Sequence, residues 1–265
     1  MADVAMMAAL VGFVLALVQD ALRPARRYPA LKGWRLKGIL FTILALVLNV
    51  TIPMAAAPVL QGRALFHGAA LGTGGGFAVG LLASELVSYW VHRACHEVGF
   101  LWRWVHQVHH SAERFDTYGA FFFHPNEMLV QIGLSLAVTG ALLGLDAEAA
   151  GLVGAASFFM AWFQHANIRT PRSLGWLVQR PESHGVHHAR GVHSGNFGNL
   201  ALFDQLFGTF SNPVDVPPLA GFYEGSSRRM RDMLLGKDVS IDGLGRGGGA
   251  TAAVTSSLRR PAVGS

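Results

Sequence analysis

Five histidines fall within one short stretch of the sequence, and this stretch constrains the fold more than any other feature. Residues 89–110 read YWVHRACHEVGFLWRWVHQVHH and carry His92, His96, His106, His109 and His110. In a helix, side chains three and four positions apart lie on one face, so the imidazoles of His92 and His96 can reach a common point. The His-x-x-His-His spacing recurs in PESHGVHH, which carries His184, His187 and His188. The repeated spacing predicts a histidine-rich metal site.

The composition of the chain is typical of a membrane protein. Of its 265 residues, 51% are hydrophobic and only 14% are charged, and such a balance favours a bilayer over water. The net charge of +5 would suit nucleic acid, but lysine and arginine concentrate beside apolar segments and in the C-terminal tail, as they do at a membrane surface. We therefore expect a membrane location and no nucleic-acid partner. The single cysteine, Cys95, excludes an intramolecular disulfide framework and a cysteine-rich zinc module, and we expect it to be packed.

Apolar segments predict an all-α fold, an integral membrane helical bundle with about four to five transmembrane helices beneath a histidine-rich helical cap. The segments are 5–22, 38–60, 69–90, 129–145 and 147–162. The first is interpreted as a retained membrane helix, because no clear small-residue cleavage site precedes the basic stretch that follows it. Pro53 and Pro58 should kink the second segment or end it early. The last two segments form a hairpin that returns the chain to its original side.

The basic loop between the first two segments predicts the orientation of the bundle. By the positive-inside rule it should face the cytoplasm, and it contains Arg23, Arg26, Arg27, Lys32, Arg35 and Lys37. Three crossings then bring the first histidine run to the cytoplasmic side, and the hairpin brings His165 back there. Residues 61–67 and 145–148 should face outward, so we expect His67 to be a surface residue far from the other histidines.

The chain divides into three predicted regions. Residues 1–68 form the N-terminal membrane helices, 69–222 form a catalytic membrane and cap domain with the histidine motifs, and 223–265 form a C-terminal tail that is largely disordered.

The run GTGGG in the third segment lacks the lysine of a phosphate loop, so it predicts close helix packing. Glu85 in the same segment lies seven residues before His92 and on the same helical face. Its carboxylate either orients an imidazole or pairs within the helices, and both interpretations stay open.

Imidazole ligands narrow the chemistry without naming the metal, since nitrogen suits iron, zinc, copper and nickel. Ligand number is more informative: structural zinc takes four ligands and catalytic zinc about three plus water, whereas eight clustered histidines suffice for two metals. Two adjacent redox metals can share the electrons that dioxygen activation requires. A metalloprotease site is excluded, because Phe100 stands where His-Glu-x-x-His needs its second histidine. Bis-haem ligation fits poorly, since haem ligands in bundles are usually isolated histidines within spans.

The motifs together resemble those of the fatty acid hydroxylase superfamily, also called the sterol desaturase family. They are YWVHRACH, HQVHH, FHPNE, FQHAN and PESHGVHH followed by GNFGNLALFDQLFGTF, and they cover residues 85–210. The resemblance implies a membrane-embedded non-haem diiron oxidoreductase that uses dioxygen and external electrons to hydroxylate or desaturate a lipid. It implies two iron ions, which zinc could replace on overproduction, and a separate electron donor such as a ferredoxin, a cytochrome or a reductase. The resemblance leaves open whether the substrate is a fatty acyl chain, a sterol or other isoprenoid, or a polar lipid.

The resemblance also assigns ligands. As iron ligands it implies His92, His96, His106, His109, His110, His184, His187 and His188, with His165 of FQHAN and His124 of the His-Pro motif as further candidates. Three positions differ from the family pattern: Glu85 stands where members often have Asp, Phe122 where many have Arg, and Ala161 where a second histidine would lie one turn before His165. For His193 we expect hydrogen bonding in preference to metal ligation.

Two non-enzymatic alternatives remain open from the sequence. A metal permease also combines spans with histidines, although its ligands should lie at the membrane midplane. A degenerate homologue that binds metal for structure alone is the other alternative. The aromatic side chains of Phe121–Phe123, Phe158, Phe159 and Trp162 could line an access route for a lipid chain, but aromatic residues at such spacing are more often ordinary packing.

Overall fold

The computed structural model describes residues 1–243, and within them the chain is helical with no β-strand beyond two isolated bridges. The α-helices are α1 (Ala2–Leu22), α2 (Trp34–Leu60), α3 (Gly72–Glu97), α4 (Gly99–Leu101), α5 (Gln107–His110), α6 (Pro125–Ser135), α7 (Ala147–Phe163), α8 (Pro181–His187), α9 (Ala201–Phe207) and α10 (Met230–Leu234). Trp102–His106 and Leu136–Leu142 are π-helical, and 3-10 turns occur at Gly68–Leu71, Thr117–Gly119, Arg172–Trp176, Ser226–Arg228 and Ser240–Gly243. The predicted all-α fold is confirmed.

Three helices of the described chain are long and apolar enough to cross a bilayer: α1, α2, and α3 together with the 3-10 turn before it. At 21 residues, α1 is about 32 Å long, which matches a hydrocarbon core of about 30 Å. Most of their large apolar side chains face outward, as lipid contact requires. The second helix contains Pro53 and Pro58 and nevertheless continues to Leu60, so it does not end early.

The hairpin predicted from the fourth and fifth apolar segments is present as α6, its π-helical continuation, and α7. Asp146 begins α7, where its carboxylate accepts a hydrogen bond from the amide of Ala149 at 2.8 Å, as an N-cap residue does. Gly144 forms the turn with a φ of 60°, and a Cβ there would lie 2.6 Å from the carbonyl oxygen of Phe66. Both conformation and space therefore require glycine at this turn.

Small residues let α3 approach α7 closely. A Cβ on Gly76 would lie 3.0 Å from the Cβ of Ala149, and one on Gly80 would lie 2.6 Å from Leu145. Gly76 is the last residue of GTGGG, so this run contributes to helix packing as its sequence predicted. Backbones that approach this closely gain van der Waals contact that large side chains would prevent.

Different connections meet at the two ends of the bundle. At one end the basic loop contacts the segment after α7, since the amides of Ala25 and Arg26 donate to Asn167 at 2.9 Å. At the other end the amides of Leu65 and Phe66 donate to the carbonyls of Ala141 and Leu142 at 2.9 Å. The basic loop and the segment that carries His165 therefore share one end, and the 61–67 connection lies at the opposite end.

A cap covers the end of the bundle that carries the basic loop. Phe122 is fully buried there, with ring centroids 5.3 Å from Trp34 and 5.1 Å from Phe41. It fills apolar space at the position where the resemblance led us to expect an arginine. Met233 and Val239 belong to the same core, so the predicted tail packs on the cap at these two positions. The rest of the predicted disordered tail, 244–265, lies outside the described residues.

Candidate metal centre

Nine histidines converge at this end of the bundle in two adjacent clusters, within each of which the candidate ligand atoms lie within 4.8 Å of one another. We define the first cluster as His92, His96, His106, His110 and His187, and the second cluster as His109, His165, His184 and His188. The rings of His110 and His188 stack across the boundary with centroids 4.2 Å apart. The two clusters therefore form one continuous centre.

Each His-x-x-His-His motif divides its histidines between the clusters. In the first motif, His106 and His110 join the first cluster and His109 joins the second. In the second motif the assignment is reversed, because His184 and His188 join the second cluster and His187 joins the first. Residues four apart on a helix share a face, whereas the middle histidine points about 100° away from the last one. Each motif therefore contributes to both clusters.

The nitrogens that face outward from the clusters are bound to main-chain carbonyls. The Nδ1 atoms of His92, His187 and His165 lie 2.6, 2.7 and 2.7 Å from the carbonyl oxygens of Phe197, Gly195 and Ala161. A carbonyl only accepts, so Nδ1 must carry the proton in each ring, and the Nε2 lone pair is left free. Metal-ligating histidines characteristically make such an outer hydrogen bond, which fixes their tautomer and orientation.

The inner nitrogens lie at distances that suit ligands of shared ions. The Nε2 atom of His106 is 2.9 Å from that of His92 and 3.0 Å from that of His110. In the second cluster, the Nε2 pairs of His109 with His165 and of His184 with His188 are each 3.1 Å apart. For metal–nitrogen bonds of about 2.0–2.1 Å, neighbouring ligands lie about 2.9–3.4 Å apart. The donor set therefore fits a metal ion in each cluster.

Several inner nitrogens also lack any protein partner. The Nε2 atoms of His96 and His187 are buried, and no residue in 1–243 hydrogen-bonds to them. Buried polar atoms without partners are costly, and here they are lone pairs that converge on a common point. A bound cation removes both the desolvation cost and the repulsion between the lone pairs.

Burial keeps the imidazoles neutral, which is the form that binds metals. Desolvation, followed by the neighbouring histidines, holds the pKa of His110, His184 and His188 well below that of a free imidazole. The pKa of His165 is lowered to about 4, again mainly by desolvation. A cluster of buried histidines disfavours added protons, and it is therefore prepared for a metal ion at neutral pH.

The loop 195–200 supplies the carbonyls that orient His92 and His187, and buried side chains hold it in place. The carboxylate of Asp204 accepts hydrogen bonds from the amides of Phe197 and Gly198, both at 2.8 Å. The Nδ2 atom of Asn196 donates to the carbonyl of Ser183 in α8 at 2.7 Å. No role was predicted for Asp204 or Asn196, although both lie in the run GNFGNLALFDQLFGTF.

The prediction for Glu85 needs a correction. Its carboxylate is buried but does not contact an imidazole: it accepts from Nδ2 of Asn199 at 3.1 Å and from the amides of Asn199 and Leu200 at 3.3 and 3.4 Å. Glu85 therefore holds the loop whose Phe197 carbonyl orients His92. Seven residues of helix separate Glu85 from His92 by about 10 Å along the axis, which is too far for direct contact.

The carboxylate that does contact an imidazole is Glu127, which sequence reasoning missed. Its Oε1 lies 2.8 Å from Nδ1 of His106, and both side chains are buried. Glu127 is the last residue of FHPNE, and the acidic side chain one helical turn after the His-Pro pair was the available signal.

The candidate His124 of the same motif lies in neither cluster. Its Nδ1 accepts a hydrogen bond from the amide of Asn126 at 3.0 Å, so the ring caps the start of α6. The structure thus shows His124 as a helix cap outside both clusters. The reason is geometric: the extended backbone at His124 and the helical start at Pro125 turn the ring toward its own helix.

The remaining sequence candidates also have defined positions. His193 contacts the outer side of the first cluster, with its Nδ1 3.1 Å from Nδ1 of His110, and it belongs to neither cluster. His67 is exposed in the connection at the opposite end of the bundle. Cys95 is buried in α3 and belongs to neither histidine group.

Aromatic side chains pack around both histidine clusters. Phe197 packs on the rings of His92 and His96 at 5.7 and 5.4 Å. Trp102 packs on His96 and His110 at 5.3 and 5.5 Å. Phe115 and Phe123 border the second cluster, 5.3 Å from His188 and 4.8 Å from His109, respectively. These rings limit the access of water to the ligands.

With this geometry in view, comparison with known proteins identifies the family. The family model described as fatty acid hydroxylase matches residues 77–209, which is half of the chain and includes all nine clustered histidines. The chain belongs to the fatty acid hydroxylase family. Its all-helical fold and its histidine clusters are the features that the sequence resemblance implied.

The alignments with relatives cover only part of this chain and only part of each relative. The chain is 32% identical to ornithine lipid hydroxylase OlsE of Rhizobium tropici over 64% of its own length and 53% of that protein. It is 27% identical to alkylglycerol monooxygenase of Xenopus tropicalis over 46% and 27%, and 23% identical to sphinganine C4-monooxygenase 1 of Arabidopsis thaliana over 51% and 53%. The chain therefore spans about half of these relatives or less. No solved structure matches it.

Proposed function

We propose that this fatty acid hydroxylase family protein is a membrane-embedded non-haem diiron enzyme that oxidises a lipid with dioxygen and external electrons. The observation that carries the proposal is the pair of adjacent imidazole clusters, whose inner nitrogens have ligand spacing and whose rings stack at 4.2 Å across the boundary. Nitrogen ligands suit iron, and two clusters suit two ions. The lipid hydroxylases and monooxygenases among its relatives support the same chemistry.

The ligands divide between the two ions by cluster. Five histidines of the first cluster would hold one iron and four of the second would hold the other. The carbonyls of Gly195, Phe197 and Ala161 hold the proton of each ring on Nδ1, so that Nε2 is free to bind. The carbonyl of Ala161 lies near the end of α7, and those of Gly195 and Phe197 lie in the loop 195–200, which buried side chains hold in place. The orientation of the ligands is therefore set before metal binds.

A bound iron pair supplies the redox chemistry that activates dioxygen and removes hydrogen from an unactivated C–H bond. Hydroxylation consumes the C–H bond, one dioxygen, two electrons and two protons, and it yields an alcohol and one water. Desaturation removes a second hydrogen and yields an alkene and two waters. We expect the two electrons to come from a separate donor of the ferredoxin, cytochrome or reductase class.

The lipid chain approaches the second cluster from the membrane side. Phe123 lies against the ring of His109 at 4.8 Å and continues into an aromatic group, where Phe121 stacks on Phe158 at 5.4 Å and packs on Phe13 of α1 at 5.8 Å. Phe123 and Phe158 are half-buried, and aromatic rings beside lipid-facing helices offer apolar surface to a methylene chain. These side chains would position one carbon and exclude its neighbours. The substrate on this argument is a bilayer lipid with an acyl or isoprenoid chain.

The centre faces the cytoplasm in the proposed orientation. The basic loop lies at the same end of the bundle as the segment after α7, and short basic loops are retained on the cytoplasmic side. A cytoplasmic electron donor would then have direct access to the cap.

Metal analysis combined with turnover tests the proposal. Full-length protein purified anaerobically from iron-replete cells should contain two irons per chain, and it should convert a membrane lipid extract to products 16 mass units heavier or 2 lighter, as expected for the gain of one oxygen or the loss of two hydrogens. One iron per chain or none would count against the two-ion assignment. Metal transport into vesicles without lipid oxidation would indicate a permease, and metal binding without either activity would indicate a structural protein.

A further inference from the structure

Four large apolar side chains form an exposed patch on the cap, beside the end of α3. We define the interfacial patch as Trp176, Leu177, Leu202 and Leu206, which are 57%, 69%, 49% and 67% exposed. The patch is continuous: the amide of Ala201 donates to the carbonyl of Leu177 at 3.1 Å, and Nε2 of Gln205 donates to the carbonyl of Trp176 at 3.0 Å. It thus joins one face of α9 to the 3-10 turn before α8.

The outward face of α9 lacks the charges of a water-facing helix. Its exposed positions are Leu202, Gln205 and Leu206, and its buried positions include Phe203 and Asp204. A helix at a protein surface in water normally carries charged residues on its outer side. Here the apolar side chains face both inward and outward, so the outer face needs an apolar partner.

The position of α9 along the bundle indicates that this partner is the bilayer. Its inner side packs on the end of α3, with Phe207 4.8 Å from Trp90 and 5.1 Å from Tyr89. Trp90 is 18 residues after Gly72, where α3 begins, and 18 residues of helix cover about 27 Å. This nearly equals the hydrocarbon thickness of about 30 Å, so α9 lies at the level where the membrane ends.

Residues around Trp90 have the chemistry of such a boundary. Trp90 itself is half exposed, and the guanidinium of Arg93 lies 5.4 Å from its ring while it pairs with Glu97 at 2.8 Å. Tryptophan is enriched at membrane–water interfaces and arginine just beyond them. The patch therefore continues the lipid-facing surface of α3.

From these observations we propose that the interfacial patch inserts into the bilayer interface, so that the cap is attached to the membrane by α9 as well as by its spans. The attachment has a consequence for the metal centre, because Asp204 of α9 holds the amides of Phe197 and Gly198 in the loop that orients His92. Insertion at this depth would restrain that loop. The proposal depends on neither bound metal nor catalytic turnover.

Spin labelling in nanodiscs tests the proposal on the full chain. Cys95 is buried, at 4% exposure, so a nitroxide reagent selects an introduced surface cysteine. Labels at Leu206→Cys and, as a second site, Trp176→Cys should relax more with oxygen than with a water-soluble nickel chelate. Leu44→Cys in α2 serves as the lipid-exposed control, and Lys237→Cys serves as the aqueous control, where the order should reverse.

Two results would overturn the proposal. One is a nickel response at both patch positions equal to that of Lys237→Cys, which would place the patch in water. The other is dipolar broadening between labels that disappears when labelled chains are diluted with unlabelled chains, which would show a second copy as the partner. Each patch residue is exposed, so neither cysteine removes core packing.

Discussion

Replacing Glu127 by glutamine should weaken metal binding in one cluster and leave the other cluster unchanged. The carboxylate contacts His106 alone among the clustered histidines, at 2.8 Å, and its other oxygen has no partner within residues 1–243. Glutamine retains an oxygen that can accept from Nδ1 but removes the negative charge. Loss of such an outer partner typically costs about 10–100-fold in metal affinity, equivalent to about 1.4–2.7 kcal/mol.

Cobalt titration of the apoprotein under anaerobic conditions measures this effect. Wild-type protein should bind two equivalents with visible d–d absorption, and Glu127→Gln should shift one equivalent to about 10–100-fold weaker binding while the other is retained. Because the readout is metal affinity at two distinguishable sites, it differs from a general loss of folding, which would affect both sites together.

Glu113→Gln is the matched control for this experiment. Glu113 is as buried as Glu127, at 3% exposure, but its carboxylate accepts from the amides of Gly225 and Ser227 and contacts no imidazole. It should therefore leave both cobalt equivalents at wild-type affinity. Normal binding of both equivalents by Glu127→Gln, or equal weakening of the same equivalent by Glu113→Gln, would contradict the role of Glu127.

Three further predictions follow from the ligand assignment and the topology. His109→Ala should lower metal content and abolish lipid oxidation. His67 is exposed at the opposite end of the bundle, so His67→Ala should change neither. Equal losses of metal and turnover in the two variants would refute the ligand assignment. Glu85→Gln should leave an enzyme weakened about 10–100-fold, since it loosens the loop that orients His92; an unchanged turnover would contradict this role. A membrane-impermeant thiol reagent should label Gln61→Cys only from outside and Lys32→Cys only from the cytoplasm, and labelling of both from one side would disprove the topology.

Much of the fold and the donor set could be predicted from the sequence because both depend on local properties. An apolar run of about 20 residues must be helical in lipid to satisfy its own backbone, and this predicted α1, α2 and α3. Histidines spaced three and four apart on a helix can converge on an ion, and this spacing marked eight of the nine clustered histidines, whereas His165 was a candidate only through the family resemblance. Both predictions can be made without knowing which part of the chain packs beside the helix.

Only the tertiary structure decided how those residues are grouped. Helical geometry separates His109 from His106 and His110, but only the packing of the two motifs places His187 with the first cluster and His109 with the second. Similarly, the sequence indicated Glu85 as the acid beside an imidazole, yet Glu85 binds a loop and Glu127 binds His106. These partners lie 114 and 21 residues away along the chain, and helical periodicity specifies the direction of a side chain but not what another part of the chain places there.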